Sequence, residues 1–169
     1  MKNFILIFAL LLSISINANN KEKDFISIYV EELNGGKDCN PDDYKCIIIS
    51  PSMISQLMQM PNINDTDKSQ EIQKILPNIK SVQVFIAAKN ISNYQKVANN
   101  LFDMHNSTYQ PIFASTDDFS IKVRKNQNKI IELILLHTEK STEQKNFIII
   151  DITGNLTDDV IESLIKLKM

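Results

Sequence analysis

The stretch that decides the fold lies in the second half of the chain, where residues 119–153 read FSIKVRKNQNKIIELILLHTEKSTEQKNFIIIDIT. In its first part, FSIKVR, every second side chain is apolar, which is the pattern of a β-strand with one buried and one solvated face. Two denser apolar runs follow, after the polar segments NQN and EKSTEQK. We therefore expect three consecutive strands, at 119–125, 129–138 and 146–153, joined into an antiparallel meander.

Upstream of this stretch, the sequence predicts one further strand of the meander. It also predicts two buried strands that alternate with helices. Residues 112–116 precede a natural turn pair, Asp117 and Asp118, and complete a late four-strand meander. The runs YKCIII and SVQVFIAA predict two buried strands. Apolar residues at helical spacing predict five helices, four of which follow capping residues: Asp24, Ser50, Ser92 and Thr157.

The order of these elements is helix, strand, two helices, strand, helix, four strands and helix. This order predicts an α+β fold, a two-layer sandwich with a largely antiparallel sheet and helices packed on one face. A doubly wound parallel sheet is disfavoured because it needs long helical connections between the last strands, and those connections are short here.

The N-terminus, MKNFILIFALLLSISINANN, has the organisation of a secretory signal peptide. A positive charge at Lys2 precedes an apolar run at 4–16, and the small residue Ala18 follows it. The run is shorter than the roughly 20 apolar residues of a membrane-spanning helix, and an uncleaved anchor is the alternative interpretation. We expect cleavage after Ala18, a single domain over 19–169, and a periplasmic or secreted protein without a stable membrane anchor.

The chain has two cysteines, Cys39 and Cys46, with six residues between them. A structural zinc site needs three or four ligands at short spacing, and the two histidines, His105 and His137, lie far along the chain. A redox pair favours the spacing Cys-x-x-Cys. An even number of cysteines in an exported chain favours pairing, so we expect a disulfide between Cys39 and Cys46.

Charge and composition argue against several classes of function. The net charge is −2 and becomes −3 when the leader, with its single charged residue Lys2, is removed. The basic residues are dispersed, so nothing indicates a nucleic-acid partner. With three glycines the chain has no glycine-rich phosphate or dinucleotide loop, and it lacks the motifs His-Glu-x-x-His and Gly-x-Ser-x-Gly. We therefore expect no cofactor and no metal.

Three side chains in the late strands are candidates for catalysis: Glu132, His137 and Asp151. Asp151 lies inside the apolar run FIIIDIT, where a buried carboxylate must be paired or protonated. Simple strand alternation places it in solvent instead, which is the interpretation we favour. His137 ends an apolar strand without evident partners, and His105 ends an amphipathic helix, where the helix dipole favours a cation. The sequence therefore predicts no catalytic residue.

Three segments of the chain resemble a known family: YKCIIISPSMISQLM, IQKILPNIKSVQVFIA and NFIIIDITGNLTDDVIESL. With the leader they are similar to the family called domain of unknown function 4252, over residues 24–167, and the motif ISPSM at 49–53 is the most specific part. The resemblance implies a small exported protein of Gram-negative bacteria, of a group often assigned as lipoproteins. This chain lacks the lipidation cysteine that some members carry. The resemblance implies no activity and no catalytic residue.

Three functions are compatible with these features. We favour a non-enzymatic module of the cell envelope that binds a partner protein or senses envelope conditions. A small-ligand carrier is an alternative, with the methionine-rich segment 51–60 and the sheet as its walls. An exported hydrolase of unfamiliar type is another, provided that Asp151, His137 or Glu132 line one pocket.

Overall fold

The computed structural model describes residues 23–36, 40–59, 66–112, 116, 118–140 and 145–166. The predicted signal peptide and Cys39 lie outside these residues. The helices are α1 (Phe25–Gly35), α2 (Pro51–Met58), α3 (Thr66–Ile75), α4 (Ile91–Met104) and α5 (Asp158–Lys166). The strands are β1 (Tyr44–Ile49), β2 (Ile79–Ala87), β3 (Tyr109–Pro111), β4 (Phe119–Asn126), β5 (Lys129–Lys140) and β6 (Lys145–Leu156).

The six strands form one antiparallel sheet in the order β1-β2-β6-β5-β4-β3. Strands β3 to β6 are the predicted late meander, so the α+β class and the antiparallel sheet are confirmed. The first strand of the meander differs from the prediction: it covers Tyr109–Pro111, whereas Ile112 is a bend and Thr116 forms only an isolated bridge. Tyr109 is buried and lies edge-on to the Phe102 ring at 5.7 Å, which favours a strand at this position.

Helices cover both faces of the sheet. The α1 face carries α1 and α4, and the α5 face carries α3 and α5. Along β5, Ile134 and Leu136 belong to the first core, while Leu133 and Leu135 belong to the second. We predicted helices on one face of the sheet only, so that part of the two-layer prediction is wrong. The dense apolar runs of β5 and β6 are what burial on both faces requires.

Aromatic side chains hold α1 against α4 and the sheet. The Phe25 ring stacks on the Phe102 ring with centroids 4.3 Å apart, and the Tyr29 hydroxyl donates to the carbonyl oxygen of Tyr94 at 2.9 Å. All four side chains are at most 2 % exposed. Burying an aromatic side chain of this kind stabilises a fold by about 1.5–3 kcal/mol, so α1 is an integral part of the domain.

Three of the four predicted N-caps are confirmed. The side chains of Asp24, Ser50 and Thr157 each accept a hydrogen bond from the N–H three residues later, at 2.9, 3.3 and 3.4 Å. The prediction for Ser92 is wrong, because α4 begins one residue before it and Asn90 is the N-cap. Asn90 has a φ of 49°, a left-handed conformation that asparagine tolerates better than most residues.

Candidate functional site

A group of polar side chains is buried between the sheet and the first turn of α1. Four strands contribute one residue each, Gln83 from β2, Arg124 from β4, Glu132 from β5 and Asp151 from β6, and Asp24 is the fifth member. Glu132 and Asp151 are completely buried, and Arg124 is 6 % exposed. The register places Gln83 opposite Asp151 and Arg124 opposite Glu132. We call these five residues the carboxylate cluster.

The prediction that Asp151 faces solvent is wrong. Alternation along β6 places Asp151 on the same side as Phe147 and Ile149, which belong to the core beneath α1 and α4. The opposite side of β6 is covered as well. A side chain at this position is therefore buried whichever face of the sheet it points to. A charged or polar side chain here must find its partners inside the protein.

The two buried carboxyl groups of the sheet bind the start of α1. Phe25 N–H donates to Glu132 Oε1 at 2.6 Å, and Ile26 N–H donates to Asp151 Oδ2 at 3.1 Å. The first N–H groups of a helix have no partner within the helix, and their dipoles give this end a partial positive charge. The two contacts therefore satisfy α1 and attach it to adjacent strands β5 and β6.

Asp24 completes the cap from the helix itself. Its Oδ1 accepts the N–H of Ser27 at 2.9 Å, and its Oδ2 accepts Gln83 Nε2–H at 2.6 Å. Three successive N–H groups at the start of α1 are thus bound by three carboxyl groups. The predicted N-cap was visible in the sequence, whereas the two contacts from the sheet join residues more than 100 positions apart.

Arg124 and the raised pKa values of two carboxyl groups limit the negative charge of the cluster. Arg124 Nε donates to Glu132 Oε2 at 2.5 Å. Burial raises the pKa of Glu132, and the Phe25 N–H and the Arg124 guanidinium oppose that rise. Burial and then the charge of Glu132 raise the pKa of Asp151 to about 8. The pKa of Asp151 therefore lies above neutral pH, and the proton that Asp151 holds avoids a further charge in the core.

The structure brings Glu132 and Asp151 together and leaves the histidines apart from them. Glu132 and Asp151 lie on the α1 face, sealed beneath the helix. His137 projects from β5 toward the opposite face, with its ring 6.3 Å from that of Phe119, and His105 is exposed at the end of α4. Among the described residues, no group of three or more His, Cys, Asp or Glu is arranged to hold a metal ion. His137 therefore does not join the two carboxyl groups, and the hydrolase hypothesis stays a hypothesis.

The second candidate site is the edge strand β1. The prediction that YKCIII is a buried strand is wrong, because β1 pairs with β2 on one side only and Ile47 and Ile48 are 45 % and 65 % exposed. These two side chains point to opposite faces of the sheet, as neighbours in a strand do. Cys46 is exposed and has no disulfide partner among the described residues. Since Cys39 lies outside the described residues, the Cys39–Cys46 disulfide stays a prediction.

A protein-family model described as Domain of unknown function (DUF4252) matches residues 40–164. The chain belongs to the DUF4252 family. The match runs from just before β1 into α5 and includes Glu132 and Asp151, while α1 precedes it. No curated protein and no solved structure matches the chain. Family membership confirms the predicted resemblance and carries no activity with it.

A surface cleft of about 320 Å³ lies beside α4 in this DUF4252 protein. Its walls combine amide, hydroxyl and charged side chains with two buried apolar ones, and they include Gln95, Asp118, Lys122, Leu136 and Phe147. The methionine-rich helix α2 does not line this cleft, contrary to the ligand-carrier hypothesis. Its Met53 is 46 % exposed, so the expectation that this helix packs its methionines into the core is wrong for Met53.

No helix in the described part of this DUF4252 protein is both long and apolar enough to cross a membrane.

Proposed function

We propose that this protein is an exported, non-enzymatic module of the cell envelope that binds another protein along β1. The observation that supports this function is the exposure of Ile47 and Ile48 on a strand whose outer edge has no strand partner among the described residues. Exposed apolar side chains beside a row of unpaired backbone N–H and C=O groups are a template for a further strand.

The geometry of β1 favours an extended partner. Ile47 lies opposite Val84 of β2 and Ile48 lies opposite Gln83, so the two isoleucines project from the two faces of the sheet. A helix resting on one face covers only one of them. A strand added along the edge contacts both and pairs with the backbone between them.

The other edge of the sheet is built differently. Strand β3 has three residues and ends in Pro111, which has no N–H to donate. Natural sheets use short edges and proline to prevent unwanted pairing. Strand β1 has six residues without proline, and its single charge is Lys45. The contrast between the two edges supports a binding role for β1 and none for β3.

Export is the second part of the proposal and rests on the sequence. The leader at 1–18 has the order of a signal peptide, and the even number of cysteines suits an oxidising compartment. Fractionation followed by N-terminal sequencing tests it. We expect a product that begins at Asn19 in the envelope or medium; a full-length product in the cytosol contradicts export.

Site-specific photo-crosslinking in cells tests the binding function. A photoreactive amino acid replaces Ile48 in one strain and Met104 in the control strain, because these side chains are similarly exposed, at 65 % and 63 %. We expect a discrete crosslinked product from position 48 that maps to an extended segment of its partner, and none from position 104. Equal products from both positions, or none from position 48, contradict the function.

A further inference from the structure

We propose that the strand added to β1 is β1 of a second copy of this chain, giving a two-fold dimer with one continuous sheet. This inference rests on the proposed binding function of β1. Three of the four exposed large hydrophobic side chains in the described part of the chain lie within residues 47–53, and Met104 is the fourth. The apolar surface is therefore concentrated at the place where a two-fold axis would bring β1 against itself.

The two edges of the sheet select the symmetry of self-association. A head-to-tail contact between β1 and β3 of the next copy would extend into a filament. The short β3 with its Pro111 opposes that contact. An isologous β1–β1 contact uses the long edge twice, closes at two copies and leaves no apolar edge exposed.

A register of the antiparallel pair centred on Ile47 suits the sequence. With Ile47 opposite Ile47 of the partner subunit, Cys46 lies opposite Ile48 and Lys45 lies opposite Ile49, so apolar side chains meet on both faces. The two Lys45 side chains are then four positions apart, about 13 Å along the strand, beyond the screening length of physiological salt. A register centred on Lys45 places like charges in contact, and one centred on Ile49 brings Pro51 into the pairing.

Charge at the ends of the strand agrees with the same register. Because the two strands run antiparallel, the turn before β1 of one copy, which contains Asp42, lies at the same end of the interface as the first turn of α2 of the other copy. Asp42 is exposed, and the first turn of α2 contains no acidic residue. Because the N-terminal end of a helix carries a partial positive charge, the acidic side chain of one subunit complements the helix of the other at each end of the interface.

A single pair of six-residue strands buries less surface than the 1,200–2,000 Å² of a standard interface, so we expect a dissociation constant on the order of micromolar. Sedimentation equilibrium of the protein recovered from the envelope fraction, from about 1 to about 300 µM, measures it. Ile48→Lys is the test variant and Met104→Lys the matched control, and circular dichroism checks that both fold. We expect Ile48→Lys to raise the dissociation constant about tenfold or more and Met104→Lys to leave it unchanged.

Cysteine crosslinking tests the register. In a Cys39→Ser, Cys46→Ser background, we expect Ile47→Cys to form a covalent dimer on mild oxidation, because residue 47 faces itself across the axis. Ile48→Cys is the control and forms no disulfide-linked dimer, because on this register it faces position 46. The proposal is overturned if the wild type is monomeric at every concentration. It is also overturned if Ile48→Lys leaves the dissociation constant unchanged, or if Met104→Lys raises it equally.

The same experiments separate the dimer from the binding function. If the protein is monomeric while position 48 crosslinks to a different envelope protein, the second copy is excluded and the binding function stands. If position 48 crosslinks to nothing, including another copy of the chain, both fail.

Discussion

Replacing Asp151 with asparagine tests the account of the buried carboxylate cluster. Asparagine is the neutral counterpart of the protonated aspartic acid that the raised pKa of Asp151 implies, and its amide oxygen can still accept the Ile26 N–H that Asp151 Oδ2 accepts. The variant keeps the shape of the site and removes the possibility of ionisation. We expect Asp151→Asn to fold, to be more stable than the wild type at neutral pH, and to lose part of the dependence of stability on pH.

The magnitude follows from proton binding in the two states. The pKa of Asp151 rises from 3.8 to about 8 on folding, so between these pH values the folded protein holds a proton that the unfolded chain has released. The free energy of unfolding therefore falls by about 1.4 kcal/mol for each pH unit in this range and is level below pH 4 and above pH 8. From pH 5 to pH 7 the loss is about 2.7 kcal/mol, or about 5–10 °C in Tm for a domain of this size.

Thermal and urea unfolding between pH 4.5 and 8.5 measure this effect, and the informative quantity is the difference between variant and wild type at each pH. Titrating groups outside the cluster contribute equally to both proteins and cancel in the difference, whereas Glu132 interacts with Asp151 and its titration remains part of the difference. Asp158→Asn is the matched control, since Asp158 is an exposed aspartate in the first turn of α5. We expect its curve to run parallel to that of the wild type, with a small loss of stability from the weakened helix dipole interaction.

Two results would refute the reasoning. The first is that the curves of Asp151→Asn and wild type are parallel from pH 5 to pH 8, which means that Asp151 takes up no proton on folding. The second is that Asp151→Asn is less stable than wild type by about 2 kcal/mol or more at every pH, which is the cost of an unsatisfied buried group. In that case the ionised carboxylate, and not the acid, is what α1 binds.

Three further perturbations test other parts of the structure. Gly154→Ala places a Cβ 2.0 Å from the carbonyl oxygen of Asn78, so we expect a loss of about 1–3 kcal/mol in urea unfolding; unchanged stability contradicts the close packing of β6 there. Arg124→Met leaves a buried carboxylate without its cation and should cost about 3–5 kcal/mol at pH 7, and less near pH 4; equal losses at both pH values contradict the ion pair. Thiol titration of the unfolded, unreduced protein tests the predicted Cys39–Cys46 disulfide, whose eight-residue loop would contribute about 2.5 kcal/mol; we expect no free thiol, and two reactive thiols exclude the disulfide.

The elements of the fold could be predicted because their signals are local. The alternation in FSIKVRK and the turn residues around it identify β4 and its neighbours in the meander. The capping residues Asp24, Ser50 and Thr157 identify three helix starts within one or two positions. In each case the interactions that decide the structure join residues a few positions apart, and single-sequence patterns record such interactions directly.

The environment of Asp151 could not be predicted, because it depends on which elements cover the sheet. Alternation states only that Asp151 and Ile150 point to opposite faces. The density of apolar residues in NFIIIDIT does indicate that both faces are buried, and that signal was available. The partners of Asp151 were not, since the Ile26 N–H is 125 positions away and is chosen by the docking of α1.

The carboxylate cluster also shows where the physical domain begins. The family match starts at residue 40, yet Glu132 and Asp151 lie within it and bind the backbone of α1, which lies before it. Without α1, two carboxyl groups and the ring of Phe102 on the α1 face lose the groups that satisfy and cover them. The cost of a buried carboxylate without partners is several kcal/mol, a large part of the stability of a domain of this size. The folding unit therefore extends to Asp24, and α1 belongs to it because the acids in the sheet bind the N–H groups of its first turn.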